Sequence, residues 1–228
     1  IIYQKSVSEI FIENDMSYLL FSVGDQDEFI TDPIHLNDIQ PALSDSEYWK
    51  KGDLFLSLRH QSMIVQYRPS TNEVIWTGAG HFYHQHDVDF LDNETISIFN
   101  NNSKDYFEAS IVDGFSDVVI YNFATNAYSK YLKASTDEHR IKSATEGRSE
   151  ILPNGDLFIE ETNYGRTVYF DANGDFRWQH VNAGEDGNVY RVAWSRVIYQ
   201  KNQIEKIKEM RGCDAKADQA SYFRSAGG

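Results

Sequence analysis

The sequence predicts an all-β protein of the β-propeller type with a short C-terminal helix, on three observations. Aromatic residues make up 14% of the 228 residues, as 14 Tyr, 14 Phe and 4 Trp, a load that suits pleated, half-buried surfaces better than helix bundles. A plan repeats along the chain: Gly52-Asp53-Leu54-Phe55-Leu56 runs to Trp76, and Gly155-Asp156-Leu157-Phe158-Ile159 runs to Trp178 at nearly the same spacing. Between those anchors the apolar stretches are short and bounded by turn residues, the pattern of strands joined by hairpins.

In chain order, Glu9-Ile10-Phe11-Ile12 and Tyr18-Leu19-Leu20-Phe21 read as strands of a frayed first unit. The first complete unit opens with Asp38-Ile39-Gln40 and continues through strands at 54–58, 63–67 and 73–76, with Pro69-Ser70-Thr71-Asn72 as its turn. A weaker copy follows at 88–91, 95–99, 118–121 and 124–128, where Thr125-Asn126 matches Thr71-Asn72. The third copy occupies 149–152, 157–161, 167–170 and 175–178, turning through Asp171-Ala172-Asn173-Gly174, and a final strand is expected within 189–199.

Four short strands per unit is the blade of a propeller. The units sum to about four blades or parts of blades, so the chain reads as part of a larger ring. Over 201–210, Ile204, Ile207 and Met210 recur in a charged background and predict a short amphipathic helix. The expected organisation is a propeller domain over 1–199, N-terminally incomplete, then a helix and tail over 200–228, with no Gly/Ser linker between them.

Charge narrows the partners. Twenty-one Lys and Arg against 35 Asp and Glu give a net charge of −14, a field that repels phosphate backbones and anionic headgroups, so nucleic acid is not an expected partner. No apolar run approaches the roughly 20 residues that cross a bilayer, and no membrane span is expected. The single cysteine, Cys213, allows neither an internal disulfide nor a thiolate-rich zinc site and reads as an incidental thiol. Ile1-Ile2-Tyr3-Gln4-Lys5 has no leader pattern, so the chain reads as cytoplasmic or, lacking an initiating Met, as starting inside a longer product.

Candidate chemistry comes from the repeats. Superposing the first strands on Ile39, Phe90 and Ile151 puts His35, His86 and Gly147 at one place, so two histidines would converge at one mouth of a propeller channel. Arg59 ends an apolar strand where the other copies carry Asn101 and Thr162, and a cation there needs an anion to meet. The plainer reading gives the histidines a strand-capping role and Arg59 a surface carboxylate, with His60 structural. His84, His86 and Asp87 offer nitrogen and oxygen donors for a metal, without an evident further ligand, so no metal and no cofactor is expected. Asn93-Glu94-Thr95 and Asn101-Asn102-Ser103 match the glycosylation sequon, a weak signal. No phosphate loop or nucleophile elbow is present.

The ordered words His35-Leu36-Asn37, Ser57-Leu58-Arg59-His60, Thr71 to Trp76, Gln85-His86-Asp87, Phe99-Asn100-Asn101, Leu152-Pro153-Asn154-Gly155 and Tyr164-Gly165-Arg166 resemble the aryl-sulfate sulfotransferase family, bacterial arylsulfotransferases that work without a nucleotide donor. The resemblance covers roughly 30–195 and implies a six-bladed propeller with its active site in the central channel. It implies His86 as the nucleophile, transiently N-sulfated, with His35, Asn37 and Arg59 holding the sulfuryl group. An aryl sulfate donor and a phenolic acceptor would be the partners, and a periplasmic or secreted location follows from the same relatives. A further family histidine has no equivalent before His35, which points to missing N-terminal blades or completion by a homo-oligomer, and Asn100 stands where relatives usually have Asp. The alternative is a non-catalytic propeller of the same ancestry acting as a binding or scaffold module.

Overall fold

The structure, a computed structural model, describes residues 3–21, 31–106 and 109–210. The chain divides into two compact units, Ile1–Ser195 and Arg196–Gly228. Among the described residues the first unit is mostly β, with short helices, and its strands form four antiparallel sheets.

The N-terminal stretch departs from the expected strands. It forms helix α1 (Val7–Glu13) and a 3₁₀ turn, Ser17–Leu20. Short apolar runs do not tell helix from strand. Here Ser6 accepts from Ser8 N, and the Glu9 side chain accepts from Ser6 N at 3.1 Å, a reciprocal cap that favours the helix. Ile10, Phe11 and Leu19 then bury against Leu56, Leu58, Val65 and Tyr67, covering one face of the first sheet.

That sheet is a meander of β1 (Leu36–Pro41), β2 (Leu54–Leu58), β3 (Met63–Arg68) and β4 (Glu73–Ala79), in the order β1-β2-β3-β4. The second contains β5 (His86–Phe90), β6 (Thr95–Asn100), β9 (Asp117–Asn122) and β10 (Ala127–Tyr131), ordered β10-β9-β6-β5. Between β6 and β9 a separate hairpin, β7 (Ser103–Tyr106) with β8 (Ala109–Val112), interrupts the repeat; the repeat reading did not foresee it. Helix α2 (Lys133–Glu138) leads to the third sheet, β11 (Arg148–Ile151), β12 (Leu157–Glu161), β13 (Arg166–Phe170) and β14 (Phe176–Val181).

The first two units share a turn device. Tyr67 donates its hydroxyl to Asn72 Oδ1 at 2.8 Å, and Tyr121 does the same to Asn126 at 2.6 Å. Both asparagines have positive φ, 60° and 51°, a conformation Asn tolerates. This is the structural content of the matching Thr-Asn words.

Packing stacks the units in chain order. Phe55 and Ile64 of the first sheet meet Ile96, Ile98, Val119 and Tyr121 of the second, with Trp49 and Phe82 filling in. Phe99 and Val118 meet Leu157, Ile159, Val168 and Phe170 of the third. The two central strands of the middle sheet, β6 and β9, are thus buried on both faces, which explains their apolar runs. On the inner side β5 lies against both β1 and β11. Two carboxylate ties fasten those strands: Asp38 Oδ2 accepts from Val88 N, and Asp87 Oδ2 from Ser149 N, each at 2.8 Å.

The strand expected within 189–199 is not formed. An isolated bridge joins Ala183 and Val189, and the following residues run as irregular chain. In the second unit, α3 (Lys201–Met210) occupies the predicted helical stretch, with Ile207 and Met210 exposed. No helix among the described residues is long and apolar enough to cross a membrane. Cys213 lies outside the described residues.

Candidate active site

A cavity of about 410 Å³ opens where β1, β5 and β11 come together, within the size range of small-molecule sites. Its wall includes His35, Asn37, Asp38, His86, Asp87, Arg148, Glu160 and Trp194. Three of the four expected site residues therefore line one space. Arg59 is buried but is not on the wall.

Strand register explains which residues share a position, and it corrects the sequence superposition. Leu54, Ile96 and Leu157 are equivalent, since they pair with Tyr67, Tyr121 and Phe170. Counting from them, Ser57, Phe99 and Glu160 correspond, and their first-strand partners are Asp38, His86 and Arg148. His86 is thus the counterpart of Asp38 and Arg148, not of His35 and Gly147. There are two causes: Ile39 pairs with Leu56, two positions away from the place where Phe90 pairs with Ile96 and Ile151 with Leu157, so the anchors are not equivalent, and a bulge between His86 and Val88 inserts one residue that β11 lacks.

His86 is fixed by Asn101. Its Nδ1 lies 2.8 Å from Asn101 Oδ1. Asn101 Nδ2 donates to Ser143 O at 2.6 Å and Glu146 O at 2.7 Å; both carbonyls only accept, so the amide orientation is determined and its oxygen must face His86. His86 therefore carries its proton on Nδ1 and its lone pair on Nε2. Burial pulls the His86 pKa down to about 4, against the Asn101 bond and helped by the nearby charge of Arg59. The ring is neutral across the physiological range.

His35 sits before β1 with positive φ, 48°, its Nδ1 2.7 Å from Asp32 Oδ2 and its ring stacked on His60 at 4.4 Å. Arg59 N donates to His35 O at 3.1 Å, so the two residues are tied through the backbone. The Arg59 guanidinium itself goes to the β7-β8 hairpin, donating to Ser110 Oγ at 3.0 Å and reaching Asp105 at 3.5 Å, while its buried Nε has no partner. His84 is next to that cluster, 3.6 Å from Asp105, and burial followed by the Arg59 charge lowers it to about 4. Asn37 Nδ2 donates to Gln85 O at 2.8 Å, and its buried Oδ1 is unpartnered.

Sequence reasoning missed two wall groups and one support. Arg148 has a buried Nε that makes no hydrogen bond and lies 3.8 Å from Asp87 Oδ1, and its Nη1 donates to Ser195 O at 2.7 Å. Glu160 accepts from Ser195 N at 2.6 Å and Trp194 N at 3.2 Å, so together they clamp the segment that carries Trp194 across the cavity. Asp87 is pushed up to about 8 by burial and then by Asp89. Arg148 follows Gly147 directly, and Asn101 is the counterpart of Arg59, so the repeats pointed at both positions without revealing their contacts. Among the described residues the group of possible metal donors that converges is Asp32, His35 and His60 rather than His84, His86 and Asp87.

Fold and site together define an all-β protein of repeated four-stranded antiparallel sheets with a histidine, asparagine and arginine cluster at the inner strands. The chain belongs to the arylsulfotransferase (ASST) family, whose family model matches residues 1–183. A crystal structure of a protein of unknown function from Bacteroides caccae is similar at 16% identity and a TM-score of 0.42, covering 62% of this chain and 47% of that one. The chain thus spans about half the length of that protein. Among curated proteins no match is found.

Proposed function

We propose that the chain carries the active centre of a propeller-type sulfotransferase, moving a sulfuryl group from an aryl sulfate to a phenol through a sulfo-histidine at His86. The supporting observation is the His86–Asn101 pair, which leaves a neutral imidazole with its lone pair on Nε2 at the wall of a cavity large enough for an aryl ring. In the first half-reaction the S–N bond to Nε2 forms as the ester S–O bond breaks. The departing phenolate is a strong base, with a conjugate acid near pKa 10, and takes a proton from His35. In the second half a phenol attacks the sulfur, returns its proton to His35, and the S–N bond breaks.

The sulfuryl oxygens need fixed donors, as in phosphoryl transfer. Asn37 retains one amide N–H beyond its bond to Gln85, Arg148 supplies a guanidinium on the wall, and Arg59 supplies positive charge behind His86. We take the chain to be part of a six-bladed propeller, completed by further blades or by a second copy; three four-stranded sheets, with β5 lying against β1 and β11, support that reading. A periplasmic or secreted location is proposed with the family resemblance.

The test is mass spectrometry of the His86 peptide after exposure to 4-nitrophenyl sulfate. One sulfuryl group on His86 with release of nitrophenol is expected, and neither is expected in His86→Asn. Unmodified His86 with no phenol release, in the full-length protein, overturns the reading. One observation favours a non-catalytic binding module instead: the Arg59 guanidinium is engaged by Ser110 and Asp105 rather than standing on the wall. That reading predicts aryl sulfate binding, measured calorimetrically, without turnover.

A further inference from the structure

We infer that Asp32, His35 and His60 form a binding site for a divalent transition-metal ion, Zn²⁺ being the probe of choice, just outside the cavity. One nitrogen of each histidine and one carboxylate oxygen all lie within 4.8 Å of one another, near the spacing that a metal draws together.

The contacts converge on Asp32 from both rings. His35 Nδ1 is 2.7 Å from Asp32 Oδ2, and His35 N donates to Asp32 Oδ1 at 2.9 Å, so the carboxylate has a fixed rotamer. His60 Nδ1 is 2.5 Å from the main-chain oxygen of Asp32. Two imidazoles stacked at 4.4 Å and 27° thus aim their Nδ1 atoms at two oxygens of a single residue. In the unoccupied state these atoms are held together by ring protons. A metal ion replaces those protons, bonding both Nδ1 atoms and the Asp32 carboxylate, with the Asp32 carbonyl beside them as a further oxygen donor. Two imidazoles with one carboxylate suit Zn²⁺, Co²⁺ or Ni²⁺, whereas Mg²⁺ and Ca²⁺ prefer oxygen alone.

His35 and Asp32 are exposed and His60 is half-buried, so an ion reaches the group without disturbing the core. His35 is also a wall residue of the cavity, so the site and the cavity share one ring. Binding is nevertheless measured with the metal alone, and its outcome is independent of whether sulfuryl transfer occurs.

The experiment is calorimetric titration of the chelator-stripped chain with ZnCl₂ near pH 7.5, repeated with Asp32→Asn, His60→Gln and, as a control away from the group, His81→Gln. One equivalent is expected, weakened about tenfold or more in Asp32→Asn and His60→Gln and unchanged in His81→Gln. Because the two key positions are exposed or half-buried, their variants fold. As a second measure, Co²⁺ is expected to broaden the ring resonances of His35 and His60 before those of the other histidines. Affinity unaltered by His60→Gln, no binding at all, or Co²⁺ broadening that begins elsewhere overturns the proposal.

Discussion

Asn101 Oδ1 stands 2.8 Å from His86 Nδ1, and the same amide gives its two N–H groups to Ser143 O and Glu146 O. A carbonyl pair thereby determines, through one side chain, which nitrogen of the histidine is free. Asn101→Ala removes that control, and sulfo-histidine formation is expected to slow by about 10- to 100-fold. Asn101→Asp places a carboxylate at Nδ1 and raises the His86 pKa, so the acid limb of the rate profile moves to higher pH. A purely structural role for Asn101 leaves that limb where it was.

The acid limb itself should lie low. With His86 held at about 4, sulfuryl uptake persists well below pH 6, where an ordinary histidine is protonated. Arg59→Met removes a charge that disfavours the imidazolium, so the limb shifts upward. A limb near 6.5 in the unaltered protein contradicts the buried, neutral assignment.

Stability carries the same signature. His84 and His86 both bind protons less readily folded than unfolded, so their contribution to stability is complete above about 6.5 and is lost as pH falls toward 4. Denaturant unfolding across that window is expected to show the decline, with a smaller slope in His84→Gln. An identical slope in the variant speaks against burial as the cause.

Asp87 acts in the opposite sense. Its carboxyl, raised to about 8, stays protonated in the fold while the unfolded chain ionises, so stability is lost as pH rises toward 8. Between pH 6.5 and 8, where the histidine contribution is constant, the loss is on the order of 1 kcal/mol. Asp87→Asn, which resembles the protonated acid, should flatten that interval in a thermal unfolding series.

Gly147, at φ 123°, sets the entry to β11. A Cβ there meets Phe99 Cε1 at 2.6 Å and Glu160 O at 3.1 Å. Gly147→Ala is therefore expected to cost about 2 kcal/mol or more and to lower Tm by several degrees. Unchanged Tm would mean that β11 can shift away from β6.

Much of the sheet plan was legible because turn chemistry repeats: Thr71-Asn72 and Thr125-Asn126 mark one hairpin device, and Gly-Asp words open β2 and β12. The N-terminal helix was not, since Ile10 and Phe11 suit either period, and the Ser6–Glu9 cap decides between them. The hairpin at 103–112 broke the repeat without a glycine-rich signature. In the site, His86, His35 and Asn37 were read from words and meet at one cavity. Arg148 was not, because a bulge in β5 shifts the register by one residue and only the strand pairing discloses that Arg148 matches His86. Arg59 shows the limit of word-based reading: it is buried but stands off the cavity wall, because the partners of its guanidinium come from an insertion that the repeat did not contain.

The ties from Asp38 to Val88 N and from Asp87 to Ser149 N join the first strands of neighbouring sheets, beside His86 and Asn37 on the cavity wall. Any splaying of neighbouring sheets consequently pivots there and grows toward β4, β10 and β14. Tolerance for insertions and drift should follow the same gradient, so that the rim can diversify while the distance between His86 and its neighbours stays nearly constant.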